Sequence, residues 1–425
     1  MKKIFLFSSM LLIITLANAQ LKGVLDRAKQ KAANKASEKV DKTIDKSTDP
    51  SSDKKDDPVN NDNTEVATKT AADTSKAEKT APAGLKVYSK YDFVPGEKVV
   101  GFEDYSTGII GDFPAGWNTN SSAEIVTVEG IPGRWLWLTK PGVFIPEFQG
   151  PFPEDFTFEF DLLHGIPING AYFTLCIGQI SDVSNMNEVL GWSVATNQFN
   201  VSFNNANTGT KSDGSSFFAR KNSLTDIQNS SSPGLLNDNN NPAHISIWRQ
   251  KERVRVYINE VKIWDVPKAA TKDAKFNSII FQVTYAEEVV KHYIGNLRLA
   301  VGAPDTRKKM LEQNKWVTHG ILFDVNSANI KPESYGTLKE MANVLKEYTD
   351  LKVKIVGHTD ADGADASNLE LSKKRAASVK VALSKEFGID EGRMETDGKG
   401  ESEPIDKNDN PAGKANNRRV EFIKL

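Results

Sequence analysis

Cysteine is nearly absent. Cys176 stands alone among 425 residues, which excludes an intrachain disulfide and any cysteine-based metal cluster. Histidine is scarce too: a three-histidine zinc site would use most of the five present. There is no surplus of positive charge. Lys plus Arg number 54 against 56 Asp plus Glu, a formal charge of −2, whereas a dedicated nucleic-acid binder carries a basic excess on its binding domain. Long apolar runs are missing beyond the extreme N-terminus, and none approaches the roughly 20 residues a membrane-crossing helix needs. The one apolar run, Ile4 to Leu16, follows Lys2-Lys3 and precedes the small-x-small sequence Ala17-Asn18-Ala19. It is too short to span a bilayer and reads as an export signal over residues 1–19. No cysteine follows the cleavage site, which disfavours a lipid anchor.

What remains divides by texture. The length gives a prior of two to three domains of about 100–200 residues, and a mean hydropathy of −0.44 points to a sizeable unstructured part beside folded ones. Residues 20–84 are rich in Lys, Ala, Asp, Ser and Thr, with almost no large apolar residue after Val24 and Leu25. Such a stretch cannot bury enough surface to offset its ordering entropy, so it reads as a disordered charged linker, helical at most over Leu21 to Lys46.

Residues 85–302 read as an all-β sandwich of jelly-roll type. Phe156, Phe158 and Phe160 alternate with Thr157, Glu159 and Asp161, the period of a half-buried strand. Ala171 to Ile177 is a more fully apolar strand holding Cys176, which reads as a small core residue. Ile245 and Ile247, then Val254, Val256 and Ile258, flank a turn at Gln250-Lys251-Glu252, and Asn259-Glu260 connects onward to Val261 and Ile263. Ile279 to Val283 and Tyr293 to Leu299 supply the last strands. A membrane barrel would need ten-residue apolar bands between aromatic girdles; the charged hairpins Arg253, Arg255, Glu260 and Lys262 argue against it.

Residues 315–425 read as an α/β sandwich in the order βαβαββ. Gly320 to Val325 is a short strand, and Pro332 opens a helix with Tyr335, Leu338, Met341, Ala342 and Leu345 at helical spacing. Leu351, Val353 and Ile355 alternate as a strand. Ser367-x-x-Glu370 is a capping box for a second helix that Gly388 ends. Along it, Leu371, Arg375, Val379 and Leu383 recur at steps of four, which puts Arg375 on the apolar stripe. An unpaired guanidinium there is costly. Either it snorkels off the stripe, or it faces a pocket lined by the preceding loop, which carries Asp360. An acid and a guanidinium beside one pocket suit a zwitterion.

The blocks Gly357-His358-Thr359-Asp360-x-x-Gly363, Asn368-x-x-Leu371-Ser372-x-x-Arg375-Ala376 and Asn417-Arg418-Arg419-Val420 resemble the OmpA C-terminal-like peptidoglycan-binding family. Phe323 to Ile330 with Pro332, and Gly400-Glu401-x-x-Pro404-Ile405, match it too. The resemblance covers roughly residues 315–425. It implies non-covalent binding of the peptidoglycan stem peptide, with Asp360 and Arg375 clamping the amino-acid end of diaminopimelate. It further implies that Asn368 bonds the peptide or holds the loop, and that Asn326, Thr359 and Arg418 are supporting candidates. No cofactor or metal is implied. Asp360 to Leu371 fails as a calcium loop, since Asp365 and Leu371 replace the glycine and glutamate it requires.

The middle region has a weaker likeness. Glu159 to His164 resembles the Glu-x-Asp-x-x-Glu strand of jelly-roll glycosidases, but His164 replaces the second glutamate and removes the acid/base. The remaining likeness is to laminin-G or concanavalin-like sandwiches, which implies a glycan or an envelope protein as partner. Trp117, Trp135, Trp137, Trp192, Trp248 and Trp264 are candidates for a sugar platform, with core packing the plainer role. The sequence thus reads as an exported, non-enzymatic protein of the outer membrane or periplasm of a Gram-negative bacterium, bound to peptidoglycan. The alternative is a carbohydrate-binding adhesin with the sandwich as its head.

Overall fold

Strand Asp155–His164 shows why the middle of the chain folds as it does. Phe156, Phe158, Phe160 and Leu162 enter the core on one side, while Thr157, Glu159 and Asp161 face the other, as the two-residue pleat requires. The computed structural model describes residues 91–425 apart from 149, 165–172, 183–196, 204–213, 232–235, 237–240, 285, 287–290 and 304. The export signal expected at 1–19, the linker at 20–84 and Trp192 lie outside the described residues.

The first strands are β1 (Lys98–Glu103), β2 (Asn118–Thr119), β3 (Ala123–Val128), β4 (Ile131–Leu138), β5 (Gly142–Ile145) and β6 (Asp155–His164). Next come β7 (Phe173–Gly178), β8 (Gln198–Phe203), β9 (Ser215–Lys221), β10 (Leu224–Ser231) and β11 (Ala243–Gln250). β12 (Arg253–Ile258), β13 (Val261–Val266), β14 (Ser278–Val283) and β15 (His292–Val301) complete this body. They form two antiparallel sheets. One has eight strands in the order β13-β12-β11-β6-β15-β4-β3, with β1 also on β15; the other has seven, β10-β9-β8-β7-β14-β5-β2. A phenylalanine-rich core fills the space between them, with Phe160 edge-on to Phe281 at 5.2 Å. The arrangement is sandwich-like. Cys176 departs from expectation: it packs with Val143, Ile145, Ile180 and Ile280 in a separate cluster and not in the main core.

The C-terminal body mixes helices and strands. α1 (Thr306–Glu312), β16 (Lys315–Thr318), α2 (Tyr335–Glu347), β17 (Val353–His358), α3 (Asp365–Phe387), β18 (Met394–Gly400), α4 (Pro411–Asn417) and β19 (Val420–Lys424) follow one another. The sheet order is β16-β19-β17-β18, with β17 and β18 parallel. Three local expectations shift. The first strand is Lys315–Thr318 and not Gly320 to Val325. There pairing is reduced to one antiparallel bridge, Phe323 to Ile330, while the Ser334 hydroxyl takes the Leu322 N–H (2.8 Å) and shares the Leu322 carbonyl (3.1 Å) with the Lys331 N–H (2.9 Å). α3 starts at Asp365 behind Ala364, which makes no side-chain cap, so Ser367 lies inside the first turn. The short α4 inserts before the last strand. Gly388 ends α3 in the left-handed conformation (φ 71°), as expected.

Both bodies belong to one compact unit. The outer face of the eight-stranded sheet is covered. Glu159, only 2% exposed, meets Arg298 Nη1 at 3.5 Å, and Arg298 Nη2 donates to the His319 carbonyl at 2.8 Å. Tyr91, Phe93 and Val94 pack with Trp248 and Tyr257 on this face, and Tyr335 of α2 closes over them. The Asn416 amide then pairs with the backbone of Val99, donating to its carbonyl and accepting from its N–H, both at 2.9 Å. Gly336 allows the closest approach: a Cβ there would lie 1.9 Å from the Phe93 carbonyl oxygen.

Two outcomes are expected. Gly336→Ala gains about 1 kcal/mol of helix propensity, but the clash is with backbone and must displace the 91–94 segment, at about 1–3 kcal/mol for overpacking. We expect net destabilisation; a urea midpoint at or above wild type would contradict this packing. Burial lowers the pKa of His319 to about 4, helped by the charges of Arg298 and Arg419. Its neutral form is favoured in the fold, so its stability is complete above pH ~6.5 and is lost as pH falls towards 4, by about 3 kcal/mol. His244 acts in the opposite sense. Burial opposes its charge, yet Asp161 and Glu159 hold its pKa well above the usual range, so it stabilises at low pH. The difference between wild type and His319→Gln across pH 4–7, by chemical denaturation, isolates the first effect; a flat difference would refute it.

Candidate functional site

The site forms where β17 ends and α3 begins. Gly357 lets the helix lie directly on the strand: a Cβ there would be 2.3 Å from the Ser372 carbonyl oxygen. Ser372 Oγ accepts from the Gly400 N–H (2.9 Å) and donates to the Leu369 carbonyl (2.7 Å), locking α3 onto β18. With the helix fixed, Arg375 emerges one turn later. It does not lie on the buried stripe, which runs through Asn368, Ser372, Ala376, Val379, Leu383 and Phe387. It flanks that stripe. Its Nε donates to the Ser327 carbonyl at 3.0 Å, and its guanidinium lies 4.9 Å from the centre of the Phe323 ring. The side chain lines a cavity of about 130 Å³ shared with Phe323, Arg418 and Phe102. Burial lowers the Arg375 pKa; the Asp360 charge opposes this and the Arg418 charge adds to it.

Asp360 follows β17. Its Oδ2 accepts from Arg418 Nη1 at 2.5 Å, so its direct partner is Arg418, with Arg375 acting on it only through space. The expected pair is therefore a trio of one carboxylate and two guanidiniums. Asn368 holds the loop: its Nδ2 donates to the Asp362 carbonyl at 3.1 Å and to Glu401 Oε2 at 2.5 Å. Thr359 is buried behind Asp360, with its N–H on the Gly400 carbonyl at 2.9 Å. Asn326 is exposed in the left-handed conformation (φ 52°), next to the Ser327 that receives Arg375. The structure thus groups Asp360, Arg375 and Arg418 and leaves Asn326 at the loop's edge.

Neighbouring charges have other work. Arg419 pairs with Glu421 at 2.9 Å and caps the Glu403 carbonyl. Burial would raise the Glu421 pKa, yet His358, Lys315 and Arg419 hold it at about 2. Asn417 Oδ1 accepts from the Ile405 and Asp406 N–H groups, shaping the loop before α4. Among the described residues no group of three or more His, Cys, Asp or Glu is placed to hold a metal ion.

Sequence reasoning missed Phe102, Arg298 and His319, all at this cavity. The first two come from the two-sheet body, and no local pattern links them to residues hundreds of positions away.

The middle-region candidates are occupied otherwise. Glu159 and Asp161 face the covered side of β6, where His244 contacts both, at 3.4 and 2.6 Å. Trp117 and Trp264 belong to the sandwich core, Trp135 is buried, and Trp248 packs under Arg255. Trp137 stacks on Tyr293 at 6.0 Å.

Comparison with known proteins gives a match of residues 322–418 to the OmpA family. Over 101 residues the chain is 40% identical to outer membrane porin F of Pseudomonas aeruginosa, which covers 24% of this chain and 29% of that protein. It is 44% identical over 104 residues to "Probable lipoprotein YiaD" of Escherichia coli K12, 24% of this chain and 47% of that protein. The chain thus spans less than half the length of these relatives. Among solved structures it is similar to the peptidoglycan-associated lipoprotein from Burkholderia pseudomallei, at 27% identity over 28% of this chain and 98% of that one, with a TM-score of 0.25. The matched stretch contains Phe323, Arg375 and Arg418, which line the cavity, together with Asp360 and Asn368 of the adjoining loop and helix, and residues 322–418 are an OmpA family domain.

Proposed function

We propose that the protein is a non-enzymatic cell-envelope component that holds peptidoglycan without making or breaking bonds. The observation that carries this reading is that Arg375 and Arg418 line one cavity and that Arg418 is ion-paired with Asp360. The chemistry is ion exchange. Asp360 is already paired with Arg418. A ligand end bearing both an ammonium and a carboxylate gives Asp360 a new cation and gives Arg418 and Arg375 a shared anion. A lone amine would strand Arg418, and a lone carboxylate would compete with Asp360, so the zwitterionic end of diaminopimelate in the stem peptide satisfies all three groups. Asn368 and Thr359 keep the Asp360 loop in shape, and Asn326 borders the loop that seats Arg375.

The names of the relatives, an outer membrane porin and a lipoprotein, support an envelope location, at the outer membrane or in the periplasm of a Gram-negative bacterium. Among the described residues no helix is long and apolar enough to cross a membrane. On this reading the two-sheet body is a jelly-roll-type sandwich that links the wall-bound domain to the outer membrane or to an envelope partner.

Asp360→Ala and Arg375→Ala should each weaken co-sedimentation with purified sacculi roughly 30-fold or more, the scale for breaking a buried charge contact at an interface. Circular dichroism should show the fold retained. Wild-type binding by both variants would end the proposal.

A further inference from the structure

The cavity is not made by the OmpA family domain alone. Phe102, on β1 of the two-sheet body, forms part of its wall. A β-bulge explains how the ring arrives there. In the register of β1 on β15, Val99 opposes Ala300 and Gly101 opposes Leu299, which leaves Val100 as the extra residue. Without it Val99 and Phe102, three apart, would point to opposite faces of the sheet. With it both turn to the face that carries Ala300 and Arg298. Both then pack against Ala415 of α4, while Val100 is turned out to solvent, 43% exposed. The paired bonds between Asn416 and the Val99 backbone fix β1 against α4 at this point. Two residues beyond Asn416, the Arg418 guanidinium lies 5.1 Å from the centre of the Phe102 ring and holds Asp360 with its other side.

We propose that Phe102 is a positioning residue of the wall-binding pocket: its ring fixes the Arg418 guanidinium at Asp360, so that the ligand is read by a site assembled from both bodies. The proposal rests on the peptidoglycan reading given above. The physical argument concerns freedom. The Arg418 side chain is 36% exposed, and a long arginine at that exposure samples many rotamers. An aromatic face on one side and a carboxylate on the other restrict it before the ligand arrives, so less ordering is needed on binding. The match to the OmpA family begins at residue 322, so this contribution is particular to a chain that carries the two-sheet body.

The test is titration of meso-diaminopimelate into the mature full-length protein by calorimetry, with Asp360→Ala as the reference. Phe102→Ala and Phe102→Leu should each weaken binding about five- to tenfold, and Phe102→Tyr should restore it. Leucine keeps the apolar packing, so that variant remains informative if the alanine form unfolds. The readout that a merely structural role would not move is coupling: Phe102→Leu added to Arg418→Ala should cost no further affinity. If Asp360→Ala loses binding but Phe102→Leu binds as wild type, or if the two losses add in full, the positioning role is overturned while the peptidoglycan reading stands. If wild type fails to bind, or Asp360→Ala binds as wild type, that reading falls and this one with it.

Discussion

Arg298 is the point on which the two bodies depend. A guanidinium buried to 6% exposure needs partners, and it has an ionic contact at 3.5 Å with Glu159 of its own sheet and a hydrogen bond to the His319 carbonyl of the C-terminal body. Burial lowers its pKa, Glu159 opposes that, and the nearby Arg418 charge adds to it. The polar residues of β6 find their partners within the two-sheet body: Thr157 accepts from the Gly96 N–H (2.9 Å), Glu159 meets Arg298 and His244, and Asp161 meets His244, while Arg298 on β15 carries the contact on to His319. The residues that look like glycosidase machinery in sequence are thus engaged in holding β6 to its neighbours and in seating Arg298.

That junction also sorts the charges near the cavity. Four arginines approach it, but Arg298 is committed to Glu159 and Arg419 to Glu421. Arg375 and Arg418 are left to face one carboxylate, Asp360. The cavity therefore carries a local positive surplus in a chain whose formal charge is only −2.

Much of this was legible in residue order. The alternation in Phe156 to Phe160, the turns at Lys251 and Asn259 and the helix stop at Gly388 all signal structure through local backbone and packing rules, and those rules held. Local reasoning failed where a distant side chain intervened. Ser334 took the Leu322 N–H and pairing there shrank to the single bridge between Phe323 and Ile330, and Asn368 with Glu401 organised the loop before α3, so the Ser367 capping box was not used. Arg375 drew notice because it broke an apolar stripe, although it borders that stripe instead of lying on it. Nothing local could announce that Phe102 would meet Arg418. That contact depends on a one-residue bulge and on an amide pairing 317 positions apart in sequence.

The segment from Tyr91 to Val94 has a mechanical meaning. It is wedged between the eight-stranded sheet and the start of α2, with Tyr257 donating to Asp92 at 2.8 Å and Gly336 pressed against the Phe93 carbonyl. Because the segment touches the sheet on one side and α2 on the other, displacing it breaks the Tyr257–Asp92 bond and frees the Gly336 contact together, so the two bodies share one cooperative seam at this point.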